Sequence, residues 1–138
     1  MNMLQWKNGV LANPRKKPMP ILSFPGTQII GVTVRELVQH GEIQARCMKA
    51  IADRYPTLAS VSNMDLSVEA EAFGAKANYS DREVPSITGR LIDSAADAEN
   101  LQVPPVGAGR TGECVRAIGL AAGLITDRPV FAGVIGPF

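Results

Sequence analysis

Residues 60–76 read Ser-Val-Ser-Asn-Met-Asp-Leu-Ser-Val-Glu-Ala-Glu-Ala-Phe-Gly-Ala-Lys, and their order decides the fold. A short apolar run over residues 58–64 meets a lone acid, Asp65. A helix-compatible stretch over 66–73 follows at once, carries Glu69 and Glu71, and stops at Gly74. This is the pattern of a βα unit with a carboxylate at the carboxyl end of its strand. In open sheets and barrels of the α/β class, ligands bind at that end. Asp65 is therefore the leading candidate for a residue that touches a substrate.

Upstream, Thr33-Val-Arg-Glu36 spells a capping box, in which Thr33 accepts from the Glu36 amide and Glu36 reaches back. Leu37, Gln44, Met48, Ile51 and Tyr55 then recur at helical spacing, which predicts one helix from Thr33 until Pro56 stops it. Residues 21–24 read as a short strand closed by a Pro25-Gly26 turn. Downstream, 75–80 and 86–92 read as extended pieces around a charged turn. Ser94 caps a short helix through Leu101 with Asp97 as the acidic partner, and Pro104-Pro105 breaks it. Residues 111–125 predict a long helix rich in Ala and Gly, suited to close packing on a sheet. Residues 130–135 form an apolar run of the kind covered on both faces.

The expected fold is α/β: about two βα repeats plus leading helices, the amino-terminal portion of a (β/α)8 TIM barrel. Residues 1–19 are an irregular or short helical lead-in and 20–138 an incomplete barrel domain. A closed barrel takes at least about 200 residues, and the chain has 138.

Hydrophobic content of 46% and charged content of 20% are those of an ordinary globular protein. A formal net charge of +1 provides no global field for nucleic acid or an anionic membrane. The basic cluster Arg15-Lys16-Lys17, bracketed by Pro14 and Pro18, reads as a solvated turn. Cys47 and Cys114 belong to no paired motif, and no apolar stretch reaches the roughly 20 residues that span a bilayer. With no secretory signal at the amino terminus, a cytoplasmic location is expected.

Three stretches resemble the uroporphyrinogen decarboxylase superfamily, and more closely its cobalamin-dependent branch, the methylcobalamin:coenzyme M methyltransferases. They are Pro20-Ile-Leu-Ser-Phe-Pro-Gly-Thr27, the Asp-Leu-Ser-Val-Glu-Ala-Glu-Ala-Phe-Gly run that Asp65 begins, and Ala132-Gly-Val-Ile-Gly-Pro-Phe138. With their spacing they cover nearly all of residues 20–138. The resemblance implies a (β/α)8 barrel with its pocket at the carboxyl ends of the strands, where Asp65 matches the acid that faces bound tetrapyrrole in the decarboxylases. Those enzymes grip substrate carboxylates with arginines ahead of the first long helix. The matching segment here, residues 24–31, has none, so uroporphyrinogen decarboxylation is not expected.

For the whole protein the resemblance implies transfer of a methyl group from a methylated corrinoid, carried by a corrinoid protein or as methylcobalamin, to a small thiol or similar acceptor. It also implies zinc, which stabilises a substrate thiolate in the methyltransferases. Nothing in this chain matches their zinc ligands. The chain alone is expected to bind neither cofactor, to need the remaining carboxyl-terminal part of the barrel, and to be inactive without it. The pocket residues expected are Asp65 on the floor, Pro25 and Gly26 on a wall, Glu69, and Arg110, which enters a helix beside a glycine and can reach an anion. The alternatives are a decarboxylase acting on a smaller acid and a non-enzymatic binding or assembly module.

Plainer roles compete at each position. Asp65 can simply cap the helix behind it. Glu69 and Glu71, two apart, cannot both face a pocket, and first-turn acids also favour the helix dipole. His40 is read as solvated or capping within its helix, and the two cysteines as small packed residues. Gly107-Ala-Gly-Arg-Thr-Gly112 matches the dinucleotide fingerprint in letters, but Pro104-Pro105 stands where a strand must precede it.

Overall fold

The computed structural model describes residues 2–135. The chain alternates helices and strands, in the order α1 (Met3–Ala12), α2 (Gly26–Ile30), α3 (Val34–Gln39), α4 (Gly41–Arg54), β1 (Ser60–Val61), α5 (Val68–Ala72), β2 (Lys76–Asn78), β3 (Ser86–Thr88), α6 (Ala95–Asn100), α7 (Arg110–Leu124) and β4 (Val130–Phe131). β1 and β4 pair in parallel, with Ser60 opposite Val130 and Val61 opposite Phe131. β2 and β3 form a separate antiparallel hairpin. Gly136 to Phe138, the end of the third stretch behind the resemblance, lie outside the described residues.

The core forms where α4 and α7 cross behind the parallel pair. Ala45, Met48 and Ala52 of α4 meet Ala121 and Ile125 from the end of α7, with Val130 packed against them. Small residues on both helices allow the close approach, and Gly41 sets its limit. A Cβ there would lie 2.6 Å from the Glu113 carbonyl oxygen, and the Gly41 amide donates to Glu113 Oε2 at 2.6 Å.

That contact explains a departure from the sequence pattern. The helix expected from Thr33 to Tyr55 is two helices, broken at His40, whose φ of −131° and ψ of 114° are extended. The break redirects the chain so that the start of α4 can press Gly41 on α7, and His40 ends up at an exposed corner rather than mid-helix. The capping box at Thr33 and Glu36 forms as read, and so does that of Ser94 and Asp97.

Residues 21–24 form no strand. Pro18 and Pro20 lack the N–H groups a ladder needs, so the segment is tied down otherwise. The Pro18 carbonyl accepts from the Leu58 amide at 2.8 Å, and Ser23 Oγ donates to the Ser62 carbonyl at 2.9 Å. The Pro25-Gly26 turn opens directly into α2. The run at 130–135 is a strand only over its first two residues, and it is not covered on both faces: Val134 is 76% exposed. β4 has β1 as its one strand neighbour among the described residues, so its far edge is open and no closed barrel forms from these elements.

The lead-in is a helix, α1, which rests on the sheet through Trp6 against Phe131, ring centroids 5.6 Å apart. In the basic cluster, Lys16 is used rather than free. Its Nζ donates to the Val10 and Leu11 carbonyls at 2.8 and 3.1 Å, where α1 ends.

Candidate functional site

Backbone pairing carries β1 and β4 side by side into a common end. Ser62 N donates to the Phe131 carbonyl at 2.9 Å, and Ser62 Oγ accepts from Gly133 N at 2.8 Å. Past this junction the chains diverge into Asn63–Asp65 and Ala132–Val134. Between these segments and the first turns of α7 lies a cleft of about 160 Å³. Val38, Val68, Val115 and Ile118 supply its apolar wall, and Asn63, Asp65, Glu69, Arg110 and Cys114 its polar groups. The cleft sits at the carboxyl end of the parallel strands, as the βα reading anticipated.

Asp65 and Arg110 form its buried polar centre. Arg110 Nη1 donates to Asp65 Oδ2 at 2.5 Å, Nε to Glu71 Oε2 at 2.5 Å, and Nη2 to Ser67 Oγ at 2.8 Å. Ser67 in turn donates from Oγ to Asp65 Oδ1 at 2.6 Å and from its amide to the same oxygen at 3.0 Å. Tyr79 OH donates to Glu71 Oε1, and the guanidinium carbon lies 5.1 Å from the Tyr79 ring centroid. All three guanidinium nitrogens are therefore engaged. Burial opposes the charge of Arg110, but the hydrogen bonds and attraction of Asp65 and Glu71 more than reverse this, raising its pKa above the ordinary arginine value. One cation faces two carboxylates, so the cluster carries an excess of negative charge and offers little to a further anion.

The expected site residues separate into groups. Asp65, Glu69 and Arg110 line the cleft together, while Pro25 and Gly26 are absent from its lining. Gly26 instead packs on α4, where a Cβ would meet Cys47 Cβ at 2.9 Å. Arg110 is a buried partner of Asp65 rather than an exposed rim residue. Asp65 also takes the plainer role, through its bond to the Ser67 amide ahead of α5. Of the two glutamates, Glu69 lines the cleft, and Glu71 turns to Arg110 and Tyr79.

The 107–112 glycine motif serves the entry into α7. Gly107 and Gly109 adopt φ of +83° and +55°, and a Cβ at Gly112 would lie 2.8 Å from the Gly107 carbonyl oxygen. This tight loop aims Arg110, the first residue of α7, inward.

Two features were missed from sequence. Both amide atoms of Asn63 are shut from solvent without a partner among the described residues, and so is Glu69 Oε2. An unpaired buried polar atom costs about 1–3 kcal/mol, so the cleft keeps unspent hydrogen-bonding capacity. The available signal was an amide within an apolar run, two positions ahead of Asp65. Burial raises the Cys114 thiol pKa, so it stays a neutral thiol. Among the described residues, no group of three His, Cys, Asp or Glu could hold a metal ion; the ligand set for zinc does not fit the residues described. Nor is any described helix long and apolar enough to cross a membrane.

Residues 18–138 match the family model of uroporphyrinogen decarboxylase (URO-D). The chain belongs to that family. Its fold is shared with a solved methyltransferase from Methanosarcina mazei, at a TM-score of 0.78 and 22% sequence identity over 98% of this chain. The chain spans 41% of the length of that structure. No curated protein matches it.

Proposed function

We propose that this chain is the amino-terminal section of a (β/α)8 methyltransferase that moves a methyl group from a methylated corrinoid to a small thiol or similar acceptor. The division into a lead-in over 1–19 and a barrel section over 20–138 belongs to the same reading, as does a cytoplasmic location.

The observation that carries it is the charge of the cleft. Arg110, the cation among the cleft-lining residues described, is already committed to Asp65 and Glu71. A polycarboxylate substrate would find no free cation among the described cleft residues and would meet repulsion from Glu69. An uncharged frame bearing polar groups fits better, and the likeness of fold to a methyltransferase favours the same choice. The bound corrinoid would supply the methyl group. This chain's residues bind and orient: Arg110 and Ser67 hold the Asp65 carboxylate past the end of β1, and the buried Val38 and Val68 give the cleft an apolar lining.

The open edge of β4 and the exposed Val134 suit completion by further strands, and zinc would be held by residues outside this section. In isolation the section should therefore be inactive.

The test is transfer from methylcobalamin to coenzyme M, comparing this chain with the protein extended through its downstream reading frame. Transfer by the extended protein alone, lowered on Asp65→Ala substitution, is expected. A folded extended protein that transfers nothing sinks the methyltransferase reading and leaves the family membership standing. A reading frame that stops at Phe138 would instead favour an assembly module.

A further inference from the structure

We infer that the groove beside α1 is a docking surface for an acidic segment of a partner protein, with an apolar side chain next to its acids. The inference is independent of the methyl-transfer reading, because the groove lies at the other end of the strands from the cleft. Leu58, two residues ahead of β1, and Arg128, two residues ahead of β4, both line it. It consists of two hollows of about 350 and 240 Å³, and Trp6, Lys17 and Leu58 line both. Such a shape suits an extended chain laid along it.

The charge of the groove is local and of one sign at one end. Residues 1–20 hold Lys7, Arg15, Lys16 and Lys17, and the first acid of the chain is Glu36. Arg15, Lys16 and Lys17 all line the larger hollow. None of the three enters an ion pair among the described residues. Their turn is also held in place before any partner arrives. The Arg15 amide donates to Asn13 Oδ1 at 2.9 Å, and the Pro18 carbonyl accepts from the Leu58 amide at 2.8 Å. Lys16 Nζ spends two of its three N–H groups on the Val10 and Leu11 carbonyls. Binding therefore orders less than it would on a free basic tail.

The rest of the groove selects among anions. Its middle is apolar, built on Trp6, which Phe131 holds with ring centroids 5.6 Å apart, and on Leu58. At the far end stands Asp127, paired with Arg128 at 2.7 Å and with a side chain 64% exposed. A nucleic acid strand carries a charge at every step and would run its phosphates onto Asp127. A membrane needs a face that protrudes, and these residues line hollows. A peptide with its acids on the Arg15–Lys17 turn and an apolar side chain on Trp6 and Leu58 meets both halves.

The experiment is titration of the extended protein into the fluorescein-labelled peptide Glu-Asp-Glu-Asp-Leu-Phe-Gly, followed by anisotropy. Three ligands are compared with it: the peptide with Gln and Asn for its acids, the peptide with Ser-Ser for Leu-Phe, and a labelled oligothymidylate. Saturable binding of the acidic peptide is expected, weakening as salt is added. Lys17→Glu should weaken it about tenfold, which corresponds to about 1.4 kcal/mol, and the amide and serine peptides should each bind at least tenfold more weakly. Circular dichroism verifies folding; where Lys17→Glu is not folded, Arg15→Glu replaces it with the same loss expected.

Absence of binding to the folded unmodified protein, or equal binding of the acidic and amide peptides, overturns the docking surface. A serine peptide that binds as well as the original, and is displaced by inorganic phosphate, reduces the groove to a simple anion site and overturns the peptide partner. Oligothymidylate that binds as tightly as the peptide overturns it in favour of nucleic acid. None of these outcomes bears on methyl transfer, which is measured separately.

Discussion

The α4–α7 crossing and the excursion over residues 75–109 are held to the same molecule by different forces. The crossing is apolar and closed, with Ala45 and Ala121 at 1% and 0% exposure. The excursion buries Pro85 and little else: α6 has no buried residue, and Val103 and Val106 stand in solvent. What anchors the excursion is polar and confined to its first limb. Tyr79 bonds to Glu71 and lies over Arg110, while Arg35 reaches Asp81 Oδ1 at 2.9 Å and the Tyr79 carbonyl at 3.0 Å. The region that shapes the cleft is thus fixed by the core on one side and by a single buried arginine on the other. Arg110 is where the two meet, since it begins α7 and grips both Asp65 and Glu71.

The sharpest way to break this arrangement is at that junction. Arg110→Met should destabilise the protein by about 4 kcal/mol, because it leaves the buried Asp65 carboxylate unpaired. Urea unfolding measures it, and a loss under about 1 kcal/mol would mean that the cluster does not hold the two regions together. Within the crossing, Met48→Ala should cost roughly 3 kcal/mol through the cavity it opens. Hydrogen exchange should then speed throughout α4 and α7.

Cys47 gives the core a pH signature. Burial pushes its thiol from 9.0 up to about 11, so the folded state holds this proton more tightly than the unfolded one. The stabilisation is complete below about pH 9 and falls as pH rises toward about 11, by roughly 2–3 kcal/mol in all. The difference between the wild type and Cys47→Ala across that window isolates it; parallel curves would count against a buried neutral thiol.

The smallest effect belongs to the excursion. Tyr79→Phe keeps the ring over Arg110 and removes one hydrogen bond, for about 1 kcal/mol. Exchange should quicken over 76–88 while α4 and α7 stay protected; equal acceleration in both would erase the distinction between the regions.

The reading from sequence succeeded where neighbours in the chain decide. Two capping boxes and the extent of α7 depend on residues a few positions apart. The parallel pairing of the two apolar runs and the acid at the end of the first also followed from local pattern, since alternation of element types dictates a βαβ crossover.

Tertiary structure alone decided the rest. The helix at 33–55 breaks because Gly41 must meet Glu113, 72 residues away, a demand that no window around His40 displays. Arg110 pairs with Asp65 across 45 residues, so sequence could nominate both and place neither against the other. Asn63 was passed over because an amide in a short apolar run carries no local mark of being left without a partner; only the packing around it withholds one among the described residues. Local hydrogen bonds are fixed by covalent spacing, whereas burial and charge pairing are fixed by what the folded chain brings into contact.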